Sequence, residues 1–122
     1  MSRRANLKLL LTQRALQDIQ EIFDYSVESW GKRAAEKYLD AIEAALDRVK
    51  TQPALLRPEP DLHAALTFYR FDQHLLVCDA RSNSMVVLTV VHASMDIPAR
   101  LAELQPTLAA EVELLHRRLW AK

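Results

Sequence analysis

The chain has 122 residues, of which 50% are hydrophobic and 26% are charged. Sixteen lysine and arginine residues balance sixteen aspartate and glutamate residues, so the formal net charge is zero. A neutral chain has no long-range attraction for nucleic acid or an anionic membrane, and this composition is ordinary for a globular protein and does not indicate disorder. The length is typical of one domain, and we predict a single domain over residues 1–122.

Cysteine content and hydropathy indicate a cytoplasmic protein. The single cysteine, Cys78, cannot form an internal disulfide or a thiolate metal site, which suits a reducing compartment. No apolar run approaches the roughly 18 residues that a membrane-spanning helix needs. The N-terminal segment holds two arginines at positions 3 and 4, but its apolar part is too short for a signal peptide. We therefore expect a cytoplasmic location and no membrane partner.

The first half of the chain predicts a strand followed by a helical hairpin. Residues 6–11 form a short apolar run that reads as an opening strand. Apolar residues then recur every third or fourth position on both sides of Gly31, the only glycine, which predicts helices over 12–30 and 32–51 with Thr12 as the first cap. The expected buried faces are Leu16, Ile19, Phe23, Val27 and Trp30 on the first helix, and Ala35, Tyr38, Leu39, Ile42, Leu46 and Val49 on the second.

The second half of the chain predicts three strands after a loop. Three prolines within residues 52–61 predict that this segment is only a loop. Strand-like runs at 66–71, 74–80 and 85–91, separated by short polar turns, predict an antiparallel meander. The last run is apolar on both faces, so we expect it in the middle of the sheet. Cys78 is expected to be a small core residue.

The C-terminal tail predicts helical structure. Pro98 and Pro106 each suit a helix start, and Asp96 is expected to cap the helix at Pro98. A stripe with helical spacing predicts an amphipathic helix over about 106–120, formed by Leu104, Leu108, Val112, Leu115 and Leu119. We favour docking of this stripe on the protein's own sheet, with a dimer or partner groove as the alternative. The predicted fold class is α+β, in the order strand, helical hairpin, three strands, helix.

Motifs with specific chemistry are scarce. The four histidines lack metal-ligand spacing, and one glycine cannot build a phosphate-binding loop, so we expect no metal and no cofactor. The polar residues of the predicted sheet and its rims are Arg57, His63, Tyr69, Arg70, His74, Arg81, His92 and Arg100. Such side chains could supply acid–base groups and cations for metal-free RNA cleavage. The alternative interpretation is a structural histidine at a strand end, solvated arginines, and Tyr38 and Tyr69 in the core with hydrogen-bonded hydroxyls.

This order of elements, with the strand ending in "VVHASMD", resembles the RelE/ParE superfamily of toxins from bacterial type II toxin–antitoxin systems. The resemblance covers about residues 6–100 and rests on Ala15, Asp18, Ile19, the region of Tyr25, Trp30-Gly31, Ala35, Tyr38, His92, Met95 and Asp96. RelE-like members are ribosome-dependent mRNA nucleases, whereas ParE-like members are associated with poisoning DNA gyrase. The neutral charge, the few lysines in the middle strands and the lack of any tyrosine after Tyr69 resemble the ParE branch more closely.

The resemblance implies a growth-inhibiting, plasmid-stabilising toxin that inhibits gyrase without enzymatic chemistry. It also implies a cognate antitoxin with a ribbon-helix-helix DNA-binding part. The alternatives are a ribosome-dependent endoribonuclease using His92, Arg70, Arg81 and Tyr69, or a non-toxic degenerate member that acts only as a binding module. Residues 104–122 extend past the usual end of such toxins. The candidates for partner binding are Arg57, Arg100, Leu108, Val112, Leu115 and Leu119.

Overall fold

The computed structural model of the chain describes residues 8–121, with side chains up to Leu119. In chain order the elements are β1 (Lys8–Leu11), α1 (Gln13–Trp30), α2 (Lys32–Thr51), β2 (Arg57–Glu59), β3 (His63–Phe71), β4 (His74–Ala80), β5 (Ser84–His92) and α3 (Ile97–Ala121). No helix within this described range is long and apolar enough to cross a membrane.

The five strands form one sheet that lies between two helical layers. The strand order is β1-β5-β4-β3-β2, with β1 parallel to β5 and the other neighbours antiparallel. The α1–α2 hairpin packs on one face around Ile42, Val49 and Leu76, and α3 packs on the other around Phe68 and Leu101. The α+β class and the predicted order are confirmed, and β5 is an interior strand as expected. Burial of each such side chain contributes roughly 1.5–3 kcal/mol.

The hairpin follows the prediction, except for the buried face of α1. Thr12 caps α1, since its hydroxyl accepts the Ala15 N–H at 3.0 Å, and Gly31 joins the two helices at a φ of +94° that favours glycine. The expected apolar face was wrong for Leu16 and Trp30, which are exposed. Ile19 faces the sheet as expected, and Ala15, Asp18, Ile22 and Ser26 lie beside it on the same face. The buried residues of α1 are small or polar, namely Ala15, Asp18 and Ser26.

Several strand boundaries differ from the prediction. Residues 6 and 7 of the expected opening strand lie outside the described range, and β3 begins at His63, three residues before the predicted start. The segment 52–61 is not only a loop, because β2 pairs there with β3. Pro58 suits this edge strand, since a proline has no N–H to offer a further strand.

The C-terminal region is one helix, where two helix starts were predicted. Asp96 caps it as expected, accepting the Ala99 N–H at 3.2 Å, and α3 continues through Pro106. A proline removes one helical hydrogen bond, and the apolar contacts of Leu101 before it and Leu108 after it hold both halves on the sheet.

Polar contacts add to the apolar docking of α3. Glu111 accepts the Gln13 N–H at the start of α1 at 2.9 Å, where a helix N-terminus favours a carboxylate. Glu113 accepts two hydrogen bonds from Arg81, at 3.3 and 2.6 Å. The helix that follows the predicted meander is therefore tied to α1, to the β4–β5 turn and to the sheet.

Candidate functional site

A cleft of about 630 Å³ lies between the α1–α2 hairpin and the strand ends next to it. We call it the hairpin cleft; its lining comes from α1, α2, the β3–β4 turn, the end of β5 and the start of α3. The residues are Asp18, Glu21, Ile22, Tyr25, Ser26, Trp30, Ala34, Tyr38, Asp72, Gln73, His74, Val90, Val91, His92, Met95 and Arg100. Concave surfaces of this size with aromatic walls and a few polar groups are the usual form of a binding site.

A β-bulge turns His92 toward this cleft. In the β4–β5 pair Thr89 lies opposite Val77, and Val87 lies opposite Cys78, so Leu88 is an extra residue. Simple alternation would put position 92 on the same face as Leu88, which packs under α3. The bulge reverses the alternation, because Val90 packs with the hairpin and His92 follows it two residues later.

Asp18 anchors α1 to β5 at the base of the hairpin cleft. Its carboxylate accepts the Val90 N–H at 3.0 Å and the Thr89 hydroxyl hydrogen, and it pairs with Arg14 at 2.9 Å. β1 pairs only with Ser84–Val87, so the carboxylate serves a backbone donor of β5 beyond the end of β1. A buried carboxylate needs this combination of donors and a cation.

Two histidines meet a tyrosine inside the cleft. His74 and Tyr38 share a hydrogen bond of 2.6 Å between Nδ1 and the phenolic oxygen, and the ring centroids of His74 and His92 are 5.2 Å apart. Burial, followed by the nearby His92, lowers the pKa of His74, while burial and the charge of Asp72 raise the pKa of Tyr38. Both groups are therefore uncharged at neutral pH.

The cleft provides little positive charge for chemistry on phosphates. Arg100 is the arginine among its lining residues, and its guanidinium already contacts Glu103 at 3.2 Å. His92 accepts the Ser94 N–H at 3.1 Å through Nδ1, within its own turn. Phosphodiester cleavage without metal requires cations aimed at the developing charge. Within residues 8–121 no group of three or more His, Cys, Asp or Glu side chains could hold a metal ion.

The four residues of the ribonuclease hypothesis are not brought together. Arg81 follows the far end of β4, roughly 20 Å along the strands from His92. Tyr69 faces α2, where its hydroxyl accepts a hydrogen bond from Arg48 at 2.9 Å, and Arg70 points to the opposite face of β3. Tyr38 and Tyr69 are half-buried with hydrogen-bonded hydroxyls, as the structural interpretation predicts.

The predicted partner-binding residues lie in three places. Leu108, Val112 and Leu115 are buried against the sheet, so docking within the chain accounts for this stripe, and Leu119 is half-buried. Arg57 lines a second cleft of about 500 Å³ beside β2 and β3, whereas Arg100 lines the hairpin cleft. Cys78 is a core residue as expected, and burial raises the pKa of its thiol to about 12.

Sequence reasoning did not assign Tyr25, Trp30 and Met95 to a site. The structure exposes all three on the rim of the hairpin cleft. Trp30 had been expected in the core because it continues the apolar spacing of α1. The available signal was its position beside Gly31, since a large aromatic group at a helix end has little core to contact.

Ser84, His116 and Asp79 form a buried polar cluster under α3. His116 Nδ1 and the Ser84 hydroxyl are 2.6 Å apart, and Asp79 Oδ1 lies 3.4 Å from Nε2. The order of atoms is that of a serine–histidine–aspartate arrangement, but Ser84 and His116 are 1% and 2% exposed. A nucleophile sealed in this way cannot meet a substrate, so the cluster is structural and holds α3 on the strand β5.

Comparisons with known proteins agree with this architecture. Residues 9–97 match the profile of the family described as the ParE toxin of the type II toxin–antitoxin system parDE. Toxin ParE1 of Caulobacter vibrioides is 25% identical over 91 residues, which are 75% of this chain and 94% of the relative. Toxin ParE1 of Mycobacterium tuberculosis is 26% identical over 95 residues, 77% of this chain and 97% of the relative.

Two solved structures have a similar fold. A chain of the chromosomal ParDE system from P. aeruginosa superposes with a TM-score of 0.64 at 14% identity, covering 72% of this chain and 97% of its own. A chain of the RelBE2 toxin–antitoxin complex from Mycobacterium tuberculosis gives 0.56 at 17% identity, with coverages of 72% and 99%. Residues 98–122, which include most of α3, lie outside the family match.

Proposed function

This chain belongs to the family of ParE toxins of type II toxin–antitoxin systems, and we propose that it stops growth by inhibiting DNA gyrase through protein contacts. The observation that carries the proposal is the match of residues 9–97 to the ParE family. We further propose that a cognate antitoxin, with a ribbon-helix-helix part, neutralises the toxin by binding it in the cytoplasm.

The distribution of charge supports binding over RNA cleavage. Arg81 is held by Glu113 at 2.6 Å, which raises the pKa of its guanidinium further and leaves it at the turn far from His92. The side chain of Tyr69 is occupied by Arg48. An inhibitor that works by stoichiometric contact needs none of these groups free, whereas a metal-free nuclease needs them at one phosphate.

The test is induction of the toxin without its antitoxin, followed by two measurements. Purified toxin is added to gyrase in a supercoiling assay, and mRNA ends are mapped in the induced cells. Loss of supercoiling with intact mRNA is the expected result. Cuts in phase with codons and unchanged supercoiling would reject the proposal, as would normal growth with neither effect.

The antitoxin proposal is supported by the two similar structures, which come from the ParDE toxin–antitoxin system and the RelBE2 toxin–antitoxin complex. It predicts that a small neighbouring gene encodes a ribbon-helix-helix protein. Co-expression of that protein should restore growth and give a complex with the toxin in size-exclusion chromatography. A neighbouring protein that neither binds nor restores growth would contradict this part of the proposal.

A ribosome-dependent nuclease is the second candidate function, and the histidine pair in the hairpin cleft favours it. His74 and His92 are adjacent, and Tyr38 is hydrogen-bonded to His74, so a proton donor and acceptor lie side by side. Under this alternative, His92→Ala and His74→Ala abolish mRNA cleavage while the protein stays folded. Under gyrase inhibition, His92→Ala retains toxicity at unchanged stability.

A further inference from the structure

Large exposed side chains rim the hairpin cleft. Tyr25 is 63% exposed, Trp30 is 68% exposed and Met95 is 42% exposed. The Tyr25 and Trp30 rings stand edge to face with centroids 5.8 Å apart, so the pair presents a shaped surface. Tryptophan, tyrosine and methionine are enriched in the centres of protein interfaces. Folding of this chain leaves here the kind of surface that a protein partner would cover.

The charge available in the cleft is negative. Glu21 on α1 and Asp72 in the β3–β4 turn are exposed carboxylates on two different walls, and Glu21 has only a 3.4 Å contact with Arg14. Arg100 is already paired with Glu103 at 3.2 Å. The neighbouring aromatic faces also attract cations. The charge pattern is complementary to an arginine or lysine side chain.

We propose that the hairpin cleft docks a peptide segment of a protein partner that presents an arginine or lysine flanked by apolar side chains. The apolar side chains pack against Trp30 and Met95, and the cation lies against the aromatic rings between Glu21 and Asp72. An acidic segment would instead meet like charge at both carboxylates. The proposal extends beyond gyrase inhibition and does not depend on which protein the toxin poisons.

The hairpin cleft is more accessible to a partner than the opposite face of the sheet. α3 covers the strands there with Leu108, Val112 and Leu115, and Glu113 and His116 tie it down. A segment that bound on that face beside β5 would first have to displace α3. The hairpin cleft requires no such rearrangement.

The test uses the full chain and a pair of synthetic peptides. One is a short amphipathic peptide of leucine and arginine, and the other has glutamate at every arginine position. Isothermal titration calorimetry measures both affinities. The chain has two tryptophans, so a Trp120→Phe variant leaves Trp30 as the single tryptophan, and its fluorescence reports binding at the cleft. We expect the arginine peptide to bind and to shift the emission of Trp30. Its affinity should fall as the NaCl concentration is raised.

Variants of exposed residues locate the binding without unfolding the protein. Trp30→Ala should lower the affinity for the arginine peptide by about tenfold or more, as for an interface anchor. Leu16 is an apolar residue of α1 that is 53% exposed and lies outside the cleft, so Leu16→Ala is the matched control and should leave affinity unchanged. Glu21→Gln and Asp72→Asn should each weaken binding about threefold. Asparagine keeps the left-handed backbone at position 72, where φ is +51°.

Three results would overturn the proposal: no saturable binding of the arginine peptide, equal affinity for the glutamate peptide, or equal losses in Trp30→Ala and Leu16→Ala. The supercoiling assay separates this proposal from gyrase inhibition. If the chain inhibits gyrase but does not bind the peptide, only the proposed docking site is refuted. A chain that binds the peptide through Trp30 and leaves gyrase active refutes only the proposed target.

Discussion

Substitution of Asp18 tests how the hairpin is held against the sheet. In Asp18→Ala the Val90 N–H loses its acceptor at 3.0 Å, and the Thr89 hydroxyl loses its acceptor too, in a site that is 6% exposed. A buried donor left without a partner costs about 1–3 kcal/mol. The Val90 N–H is fixed by the backbone, so its loss of a partner has the full cost. The Thr89 hydroxyl can rotate toward another acceptor, so its cost is smaller. The ion pair between Asp18 and Arg14 is also lost, at a cost of up to about 1 kcal/mol. We expect a total loss of about 2–4 kcal/mol.

Urea denaturation followed by circular dichroism measures this loss by linear extrapolation. Asp24→Ala is the matched control, because Asp24 is an exposed carboxylate of the same helix that accepts only from Gln20. It should change stability by at most about 0.5 kcal/mol. Thr89→Val should cost less in the Asp18→Ala background than alone, by about 1 kcal/mol. A loss no larger than that of Asp24→Ala would refute the anchoring role of Asp18.

Three further predictions concern stability. Gly31→Ala should lose about 1–3 kcal/mol, because alanine is strained at a φ of +94°, whereas Lys32→Ala should be neutral in the same urea assay. Leu108→Ala should lose about 2–5 kcal/mol by leaving a cavity under α3, and Leu114→Ala, which is exposed, should not; equal effects would argue against docking of α3. Burial and the charge of Arg81 lower the pKa of His116 below 6.5, so unfolding free energy should be highest above pH 6.5 and fall as the pH falls toward that lowered pKa. His116→Gln should reduce this fall, and an unchanged fall would contradict the assignment.

Local chemistry explains which parts of the fold were predictable. The hairpin follows from Gly31 and from apolar spacing on either side, because a helix and its end depend on neighbouring residues. The caps at Thr12 and Asp96 were predictable for the same reason. The predicted helix start at Pro106 was wrong, because a proline inside a helix is tolerated when both halves are packed. The short β2 was missed because its partner, β3, supplies the hydrogen bonds.

The candidate site was less predictable, because it depends on how distant elements meet. His92 was identified as a residue of interest, but its position beside His74 and Tyr38 could not be predicted from the sequence. The bulge in β5 that reverses the alternation exists only in the pairing with β4. The apolar spacing of α1 predicts Trp30 in the core, but this side chain is 68% exposed at the last residue of the helix.

Residue type and local spacing are enough to predict the order of the main elements, the hairpin turn, the helix caps and the family. Three features follow only from tertiary contacts: the side of the sheet that the end of β5 faces, the pairing of β1 with β5, and the way α3 is held. These features depend on contacts such as that between the Thr12 hydroxyl and the Leu88 carbonyl at 2.6 Å, which join residues 76 positions apart. Local propensity contains no information about such pairs, and the hairpin cleft exists only because they form.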